Sequence, residues 1–292
     1  MKNILFFWLS ITVFSVNAQF SLNNKYVDAD SISSLKEKKY YFNNNPYDLS
    51  FKKELIFAIP ITALVIADLE VKAKQFTQED LAALNTNNIP WFERNIIYFD
   101  TATAARADEL SDLFNKSAIL IGVTSVLIPA CDLPEMFTNL FIYYEGIMIN
   151  SGITDLLKKS VGRVRPYAYN TTLPDEYRMS GAVNSSFPSG HSSSSAFSCF
   201  FAAKMIDDYL IDDENRLLKT INWTTAALIP AWVGYLRMAA GVHFLTDVAA
   251  GYVIGASCGF FIPVLHKSKY ENISLAPALW NEGNGLSCTI KF

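Results

Sequence analysis

The sequence is poor in the residues that metal clusters and disulfide frameworks require. Its 292 residues include only four cysteines and three histidines. No CxxC pair or Cys/His cluster is present, so no zinc site is indicated. Cys131, Cys199 and Cys258 lie in apolar stretches, where buried free thiols are expected. A formal charge of −4 provides no basic field, so nucleic acid is not expected as a partner. We expect neither a metal nor a cofactor.

Long uncharged runs are missing too. The apolar segments are interrupted or short of the roughly 20 residues that a bilayer span needs, although core helices of soluble bundles have such lengths. These segments cover residues 55–67, 117–131, 136–157, 220–236 and 248–265. Their number and spacing favour an all-α helical bundle.

The most informative stretch is the sequence SSFPSGHSSSS at residues 185–195. Proline and glycine indicate a turn, and the Ser/Ala/Phe run that follows predicts a helix. This places Ser189, Gly190 and His191 at a helix N-terminus, where unpaired backbone N–H groups attract anions, phosphate above all.

Two further motifs flank this stretch, each beside an apolar segment. Upstream, Lys158 is followed after six residues by Arg165 and Pro166, and downstream Arg237 precedes His243 and Asp247. This order resembles the three-part signature of the type 2 phosphatidic acid phosphatases, which the bacterial non-specific acid phosphatases and vanadium haloperoxidases share. One departure is Leu236, where the family usually has serine.

The resemblance implies a phosphoric monoester hydrolase that needs no metal. Lys158, Arg165 and Arg237 would neutralise the phosphate, and the Ser189 hydroxyl and Gly190 amide would add donors. His243 would attack phosphorus, with Asp247 holding one of its nitrogens. The i,i+4 spacing of these two residues predicts that they share one face of a helix.

The resemblance gives His191 a different role from His243. His191 would protonate the leaving group as a general acid and then activate water to cleave the phosphohistidine. Lys159 and Arg163 lie close to the cation positions of the first motif but are not assigned to them, because the spacing favours Lys158 and Arg165. His266 is expected to be an end-of-helix residue without a catalytic role.

The chain divides into four expected segments. Residues 1–18 have the pattern of a secretory signal peptide, and residues 19–50 form a polar N-terminal arm. Residues 51–269 form the phosphatase helical domain, in which an irregular loop at 167–184 is expected to select the substrate. Residues 270–292 form a tail whose alternating pattern and Gly283-Asn284-Gly285 turn predict a short β-hairpin.

We expect an exported protein of the cell envelope, associated with the membrane, with its active site facing the periplasm. A soluble periplasmic bundle is the alternative. The number of bilayer crossings before Lys158 constrains the membrane-associated arrangement. If segments 55–67, 117–131 and 136–157 all crossed the bilayer, Lys158 would lie in the cytoplasm, whereas an external site results if segment 55–67 lies beside the membrane.

The expected activity is hydrolysis of phosphate monoesters or diphosphates, with a phosphorylated lipid as the substrate. A soluble periplasmic non-specific acid phosphatase would use the same residues, and a vanadate-dependent haloperoxidase would have a similar anion site. A non-catalytic helical membrane protein is the remaining alternative, but it would have no use for two histidines that bracket a cluster of cations.

Overall fold

The computed structural model describes residues 46–127, 133–267, 273–280 and 283–290. The expected signal peptide and most of the polar arm lie outside these residues. The helices are α1 (Phe51–Glu70), α2 (Gln78–Ala82), α3 (Thr101–Ser125), α4 (Leu133–Val161), α5 (Asp175–Arg178), α6 (Gly190–Leu210), α7 (Arg216–Ala239) and α8 (Leu245–Leu265). Short 3-10 turns occupy Thr86–Asn88, Arg94–Ile97 and Pro166–Tyr169. The predicted all-α bundle is confirmed.

The C-terminal tail forms the expected hairpin. Strand β1 (Ile273–Trp280) pairs antiparallel with β2 (Gly283–Ile290), and Trp280 lies opposite Gly283 at the closed end. The predicted turn position is wrong, because Gly283 to Gly285 belong to β2.

Helix α6 is the centre of the bundle, with α3, α4, α7 and α8 packed around it and α1 packed on α4. Most of its side chains are small or aromatic, and most are buried. Its buried serines have hydrogen-bond partners: Ser193 donates to the Asn150 side chain at 2.6 Å, and Ser198 lies 3.2 Å from the Tyr143 hydroxyl. Small residues let neighbouring helices approach α6 on all sides, and the paired hydroxyls limit the cost of burying them.

The closest approach to α6 is made by α8, through glycines four residues apart. A Cβ atom at Gly251 would lie 2.3 Å from the Ser189 carbonyl oxygen, and one at Gly255 only 2.0 Å from that of Ser193. Gly259 has a similar contact, since its Cβ would lie 2.4 Å from the Phe197 carbonyl oxygen. No side chain fits between the two backbones at these positions.

Helix α3 begins much earlier than the apolar segment at 117–131 indicates. Asp100 caps it by accepting a hydrogen bond from the Thr103 amide at 2.8 Å, and Ala104, Ala107 and Ser111 are buried along one face. A capped amphipathic stretch therefore precedes the apolar one in the same helix.

Two other parts of the chain are more ordered than expected. The segment at 167–184 is not wholly irregular, because it contains most of the 3-10 turn and all of α5. Tyr47, in the expected polar arm, is buried in the core and donates a hydrogen bond to Asp208 at 2.6 Å. The domain boundary at residue 50 stays a prediction.

Several helices expose large apolar side chains on their outer faces. Ile59 of α1, Leu120 of α3, Leu228 of α7 and Val253 of α8 are each more than 60% exposed. Within the described part of the chain, α8 alone is long and apolar enough to cross a bilayer, a test that a core helix also passes.

Replacing Gly255 by alanine is expected to destabilise the bundle. The added methyl group collides with the α6 backbone, so we expect the free energy of unfolding to fall by about 1–3 kcal/mol, as in other overpacked cores. Denaturant unfolding measures the change. Ala249→Ser, which also adds one heavy atom but on the exposed face of α8, should change stability by less than about 0.5 kcal/mol. Equal stabilities of the two variants would contradict the close packing.

Candidate active site

The N-terminus of α6 forms one wall of the predicted site. Ser189 is fully buried and is the N-cap, where its hydroxyl oxygen accepts a hydrogen bond from Ser192 Oγ at 3.0 Å. A Cβ atom on Gly190 would lie 2.8 Å from Lys158 Nζ. The absence of a side chain at Gly190 therefore leaves room for the Lys158 ammonium group beside the first turn of α6.

The three predicted cations converge on this wall. Lys158 lies in the last turn of α4 and Arg237 in the last turn of α7, where the helix dipole favours positive charge. Arg165 follows α4 in the chain, and its Nε donates to the Ala182 carbonyl at 3.1 Å. Burial lowers the pKa of Lys158, and the charges of Arg165 and Arg237 lower it further. The three cations are thus close enough to act on one another.

His243 lies just outside α8, so the predicted shared helix face is wrong. The helix begins at Leu245 with Phe244 as its N-cap. His243 Nδ1 donates to the Ser186 carbonyl at 2.7 Å, whereas the nearest Asp247 oxygen is 3.8 Å away. A backbone carbonyl, not the carboxylate, therefore holds the imidazole.

This environment keeps the His243 imidazole uncharged. The side chain is 2% exposed, and burial lowers its pKa to about 3, with the Arg165 and Arg237 charges acting in the same direction. Because Nδ1 carries the proton of the hydrogen bond to the Ser186 carbonyl, Nε2 has a free electron pair at neutral pH.

Asp247 instead organises the loop around His243. Its Oδ2 accepts hydrogen bonds from Ser186 Oγ at 2.5 Å and from the Phe244 amide at 2.8 Å. Its backbone carbonyl accepts from the Ser189 amide at 2.9 Å. Asp247 therefore connects the second motif to the third. It also bonds to Ser186, whose carbonyl orients His243.

Arg163, which the sequence analysis did not assign to the site, is part of this network. One of its amino groups donates to Asp247 Oδ1 at 2.5 Å and the other to Glu93 Oε2 at 2.7 Å. Its guanidinium also lies 4.3 Å from the centre of the Phe244 ring. Arg163 thus balances two fully buried carboxylates and faces Asp247, a role that the spacing of the first motif did not indicate.

Helix α3 supplies two carboxylates that sequence reasoning missed. Asp112 Oδ1 lies 2.8 Å from His191 Nε2, and Asp108 Oδ1 accepts from an Arg237 amino group at 2.5 Å. Ser111 lies between them and contacts the same Arg237 group at 3.0 Å. The i,i+4 spacing of the two aspartates on an amphipathic helix was the signal available in the sequence.

The structure brings together all of the residues predicted for the site. They lie at the end of the bundle where α6 and α8 begin and where α4 and α7 end. Two histidines, each with one nitrogen engaged, flank three cations and a helix N-terminus. Such an arrangement has the positive charge and the hydrogen-bond donors that an oxyanion needs, and it includes a neutral imidazole. The members are Lys158, Arg165, Ser189, Gly190, His191, Arg237, His243 and Asp247.

These features define a class of protein, an all-α bundle with an oxyanion site at one end. Residues 139–271 match the PAP2 superfamily. The match agrees with the resemblance of the three motifs to the type 2 phosphatidic acid phosphatase superfamily.

Known proteins of this kind match part of the chain. A PA-phosphatase related-family protein of Dictyostelium discoideum is 35% identical over 41% of this chain and 45% of its own length. Phospholipid phosphatase 1 of Rattus norvegicus is 27% identical over 38% and 46%. The chain therefore spans just under half the length of these relatives. A transmembrane PAP2-type phosphatidylglycerolphosphate phosphatase from Bacillus subtilis aligns over 73% of this chain and 94% of its own, with 21% identity and a TM-score of 0.39.

Replacing Arg163 by glutamine is expected to destabilise the protein. The change leaves the buried carboxylates of Glu93 and Asp247 without their cation, and loss of one partner of a buried pair costs about 3 kcal/mol or more. Denaturant unfolding measures the loss. Lys74→Gln, which breaks an exposed ion pair with Asp80, should change stability little. A stability of Arg163→Gln equal to that of Lys74→Gln would show that Arg163 does not balance these carboxylates.

Proposed function

We propose that the protein hydrolyses phosphate monoesters or diphosphates of lipids in the cell envelope, through a phosphohistidine intermediate. The observation that carries this proposal is the buried, neutral imidazole of His243 next to the charges of Arg165 and Arg237. Such a group is a nucleophile directed at an anion that the cations attract. The match of residues 139–271 to the PAP2 superfamily and the names of the relatives support the same activity.

The first step transfers the phosphoryl group to His243. Nε2 forms a bond to phosphorus while the bond from phosphorus to the ester oxygen breaks, and His191 gives a proton to the departing oxygen. The imidazole then carries positive charge, which the Asp247 carboxylate 3.8 Å away stabilises. Lys158, Arg165 and Arg237 neutralise the phosphate oxygens, and Ser189 and the Gly190 amide donate hydrogen bonds to them.

The second step releases the phosphate. His191 takes a proton from water, the water oxygen bonds to phosphorus, and the bond from phosphorus to His243 Nε2 breaks. Asp112 orients His191 for both steps and favours its protonated form. Because the cation cluster supplies the positive charge that a metal would otherwise provide, neither step requires a metal ion at this site.

Two observations support a lipid substrate and a membrane-associated protein. Large apolar side chains cover the outer faces of α1, α3, α7 and α8, and α8 has the composition of a membrane span. An apolar cleft of about 350 Å³ is lined by Met238 and Ala239, the residues that follow Arg237, together with Tyr98, Phe99 and Tyr235. This cleft is suited to the acyl chain of a bound lipid.

The localisation follows from the sequence pattern. An exported chain, anchored through its apolar outer faces, would present the oxyanion site to the periplasm. We therefore expect to recover the protein in the detergent-soluble membrane fraction. Release of active enzyme by osmotic shock, with equal turnover of soluble and lipid phosphomonoesters, would favour the soluble periplasmic phosphatase.

Trapping of the phosphoenzyme separates the roles of the two histidines. With a labelled nitrophenyl phosphate, His191→Ala should still form acid-labile, base-stable phosphoprotein, because nitrophenolate departs without a proton. It should accumulate this intermediate, since its water is not activated. His243→Ala should form none. Labelling of His243→Ala, or none in His191→Ala beside normal labelling of the wild type, contradicts the assigned roles.

The pH dependence of kcat/KM tests the role of Asp112. Burial lowers the pKa of His191, the Arg237 charge lowers it further, and Asp112 opposes both effects. A general acid is active when protonated, so kcat/KM for an alkyl phosphate should fall as the pH rises through a value below 6.5. Asp112→Asn removes the opposing charge, so this fall should move to lower pH.

Glu109→Gln removes an exposed carboxylate from the same helix and is the matched control for Asp112→Asn. It should leave the pH profile unchanged. A profile of Asp112→Asn that coincides with the wild type, or that moves to higher pH, would contradict the coupling of Asp112 to His191.

A further inference from the structure

Three buried ionisable side chains meet far from the oxyanion site. Glu54 lies in the first turn of α1, Glu145 in the middle of α4, and His266 immediately after the end of α8. Glu54 is 2% exposed, and Glu145 and His266 are fully buried. Their ligand atoms all lie within 4.8 Å of one another. Three separate helices thus direct nitrogen and oxygen atoms at one point.

The proton of the neutral His266 ring points away from this cluster. His266 Nδ1 donates to the Ile262 carbonyl at 2.8 Å, so in the neutral ring Nε2 carries a free electron pair. Nε2 lies 3.0 Å from Glu145 Oε2 and 3.9 Å from Glu54 Oε1. Among the described residues, neither Nε2 nor any of the four carboxylate oxygens has a hydrogen-bond partner. Electron pairs therefore face one another across the cluster unless a proton or a metal ion lies between them.

The described residues around the cluster provide no cation that occupies this point. The Phe57 ring stacks on His266 at 4.5 Å between centroids, and Ile61, Ile142 and Ile262 belong to the same apolar core. Lys53 is a nearby cation, but its ammonium group bonds to Asp48 and to the carbonyls of His266 and Lys267. Lys53 therefore makes its hydrogen bonds outside the three ligand groups.

We propose that Glu54, Glu145 and His266 bind one divalent transition-metal ion, of the zinc or manganese kind. Nitrogen and oxygen ligands of such ions lie about 2.0–2.2 Å from the metal, so ligands of one ion are separated by about 3–3.5 Å. His266 Nε2 lies 3.0 Å from Glu145 Oε2 and 3.9 Å from Glu54 Oε1, so a small shift of the Glu54 side chain brings the three groups to one ion. Two carboxylates balance a divalent charge, and the imidazole nitrogen disfavours Ca²⁺ and Mg²⁺, which prefer oxygen. The Ile262 carbonyl fixes the ring in the orientation that metal-binding histidines require.

The site is structural and separate from the proposed chemistry. His266 follows Asp247 by 19 residues along α8, which places the two roughly 28 Å apart. The ion joins the start of α1, the middle of α4 and the end of α8. Its coordination bonds offset the free energy that burying three polar groups without partners costs, and so they stabilise the folded state. This differs from the expectation that the chain holds no metal and that His266 is only an end-of-helix residue.

The experiment uses the purified full-length chain, stripped with a chelator and titrated with Co²⁺. Wild type should bind one equivalent, with visible d–d absorption bands, and its Tm should rise. Glu145→Gln and His266→Gln should weaken Co²⁺ binding by more than the roughly 10- to 100-fold that loss of an outer-sphere partner causes. Glu109→Gln, which removes an exposed carboxylate on α3, should bind as the wild type does.

Glu145→Gln keeps the shape of a protonated carboxyl group, so a folded variant is expected in either case. If wild type binds no Co²⁺, Zn²⁺ or Mn²⁺ and its Tm is unchanged by them, the cluster shares protons instead and the proposal is wrong. The phosphohistidine of the proposed function is an independent readout. Glu145→Gln should still form it below its own Tm, and stripped wild type should lose thermal stability but not labelling.

Discussion

The arrangement of the oxyanion site depends on the contact between α6 and α8. Because Gly251 and Gly255 carry no side chain, the two backbones touch, and the start of α8 lies against the start of α6. The Ser189 amide then bonds to the Asp247 carbonyl at 2.9 Å. This contact joins two helix N-termini, each preceded or followed by a histidine. Helices α4 and α7 end at the same place and bring their cations with them, so positive charge and amide donors accumulate at one end of the bundle.

Such an accumulation of positive charge is stable only if carboxylates balance it. Asp108 contacts Arg237, Asp112 contacts His191, and Asp247 shares Arg163 with Glu93. These contacts also orient the groups that would act on a phosphate. Since the Ser186 carbonyl already fixes the His243 proton, Asp247 acts on this histidine through the loop and through its charge. The same residues therefore stabilise the fold and prepare the site for an anion.

The sequence was sufficient to predict the helical bundle and the residues that converge at its end. Their motifs are local, and each motif contains its own turn or helix terminus. It was not sufficient for Asp112, Glu93 or Arg163, whose partners are 70 or more residues distant in the chain. Nor could it place His243 outside the helix. The i,i+4 spacing suggests a helix that includes His243, whereas Asp247 accepts a hydrogen bond from the amide of Phe244, which is the N-cap of α8. Glu54, Glu145 and His266 meet only through the packing of α1, α4 and α8.

The proposed mechanism depends on His243 Nε2 as the nucleophile and on the three cations that hold the phosphate around it. Vanadate adopts the five-coordinate geometry of the phosphoryl group in transfer, so a structure of the protein with bound vanadate tests this claim directly. We expect vanadium at bonding distance from His243 Nε2, with its oxygens contacting Lys158, Arg165 and Arg237 and with His191 on the opposite side. Vanadium bonded to His191, or bound away from these cations, would contradict it.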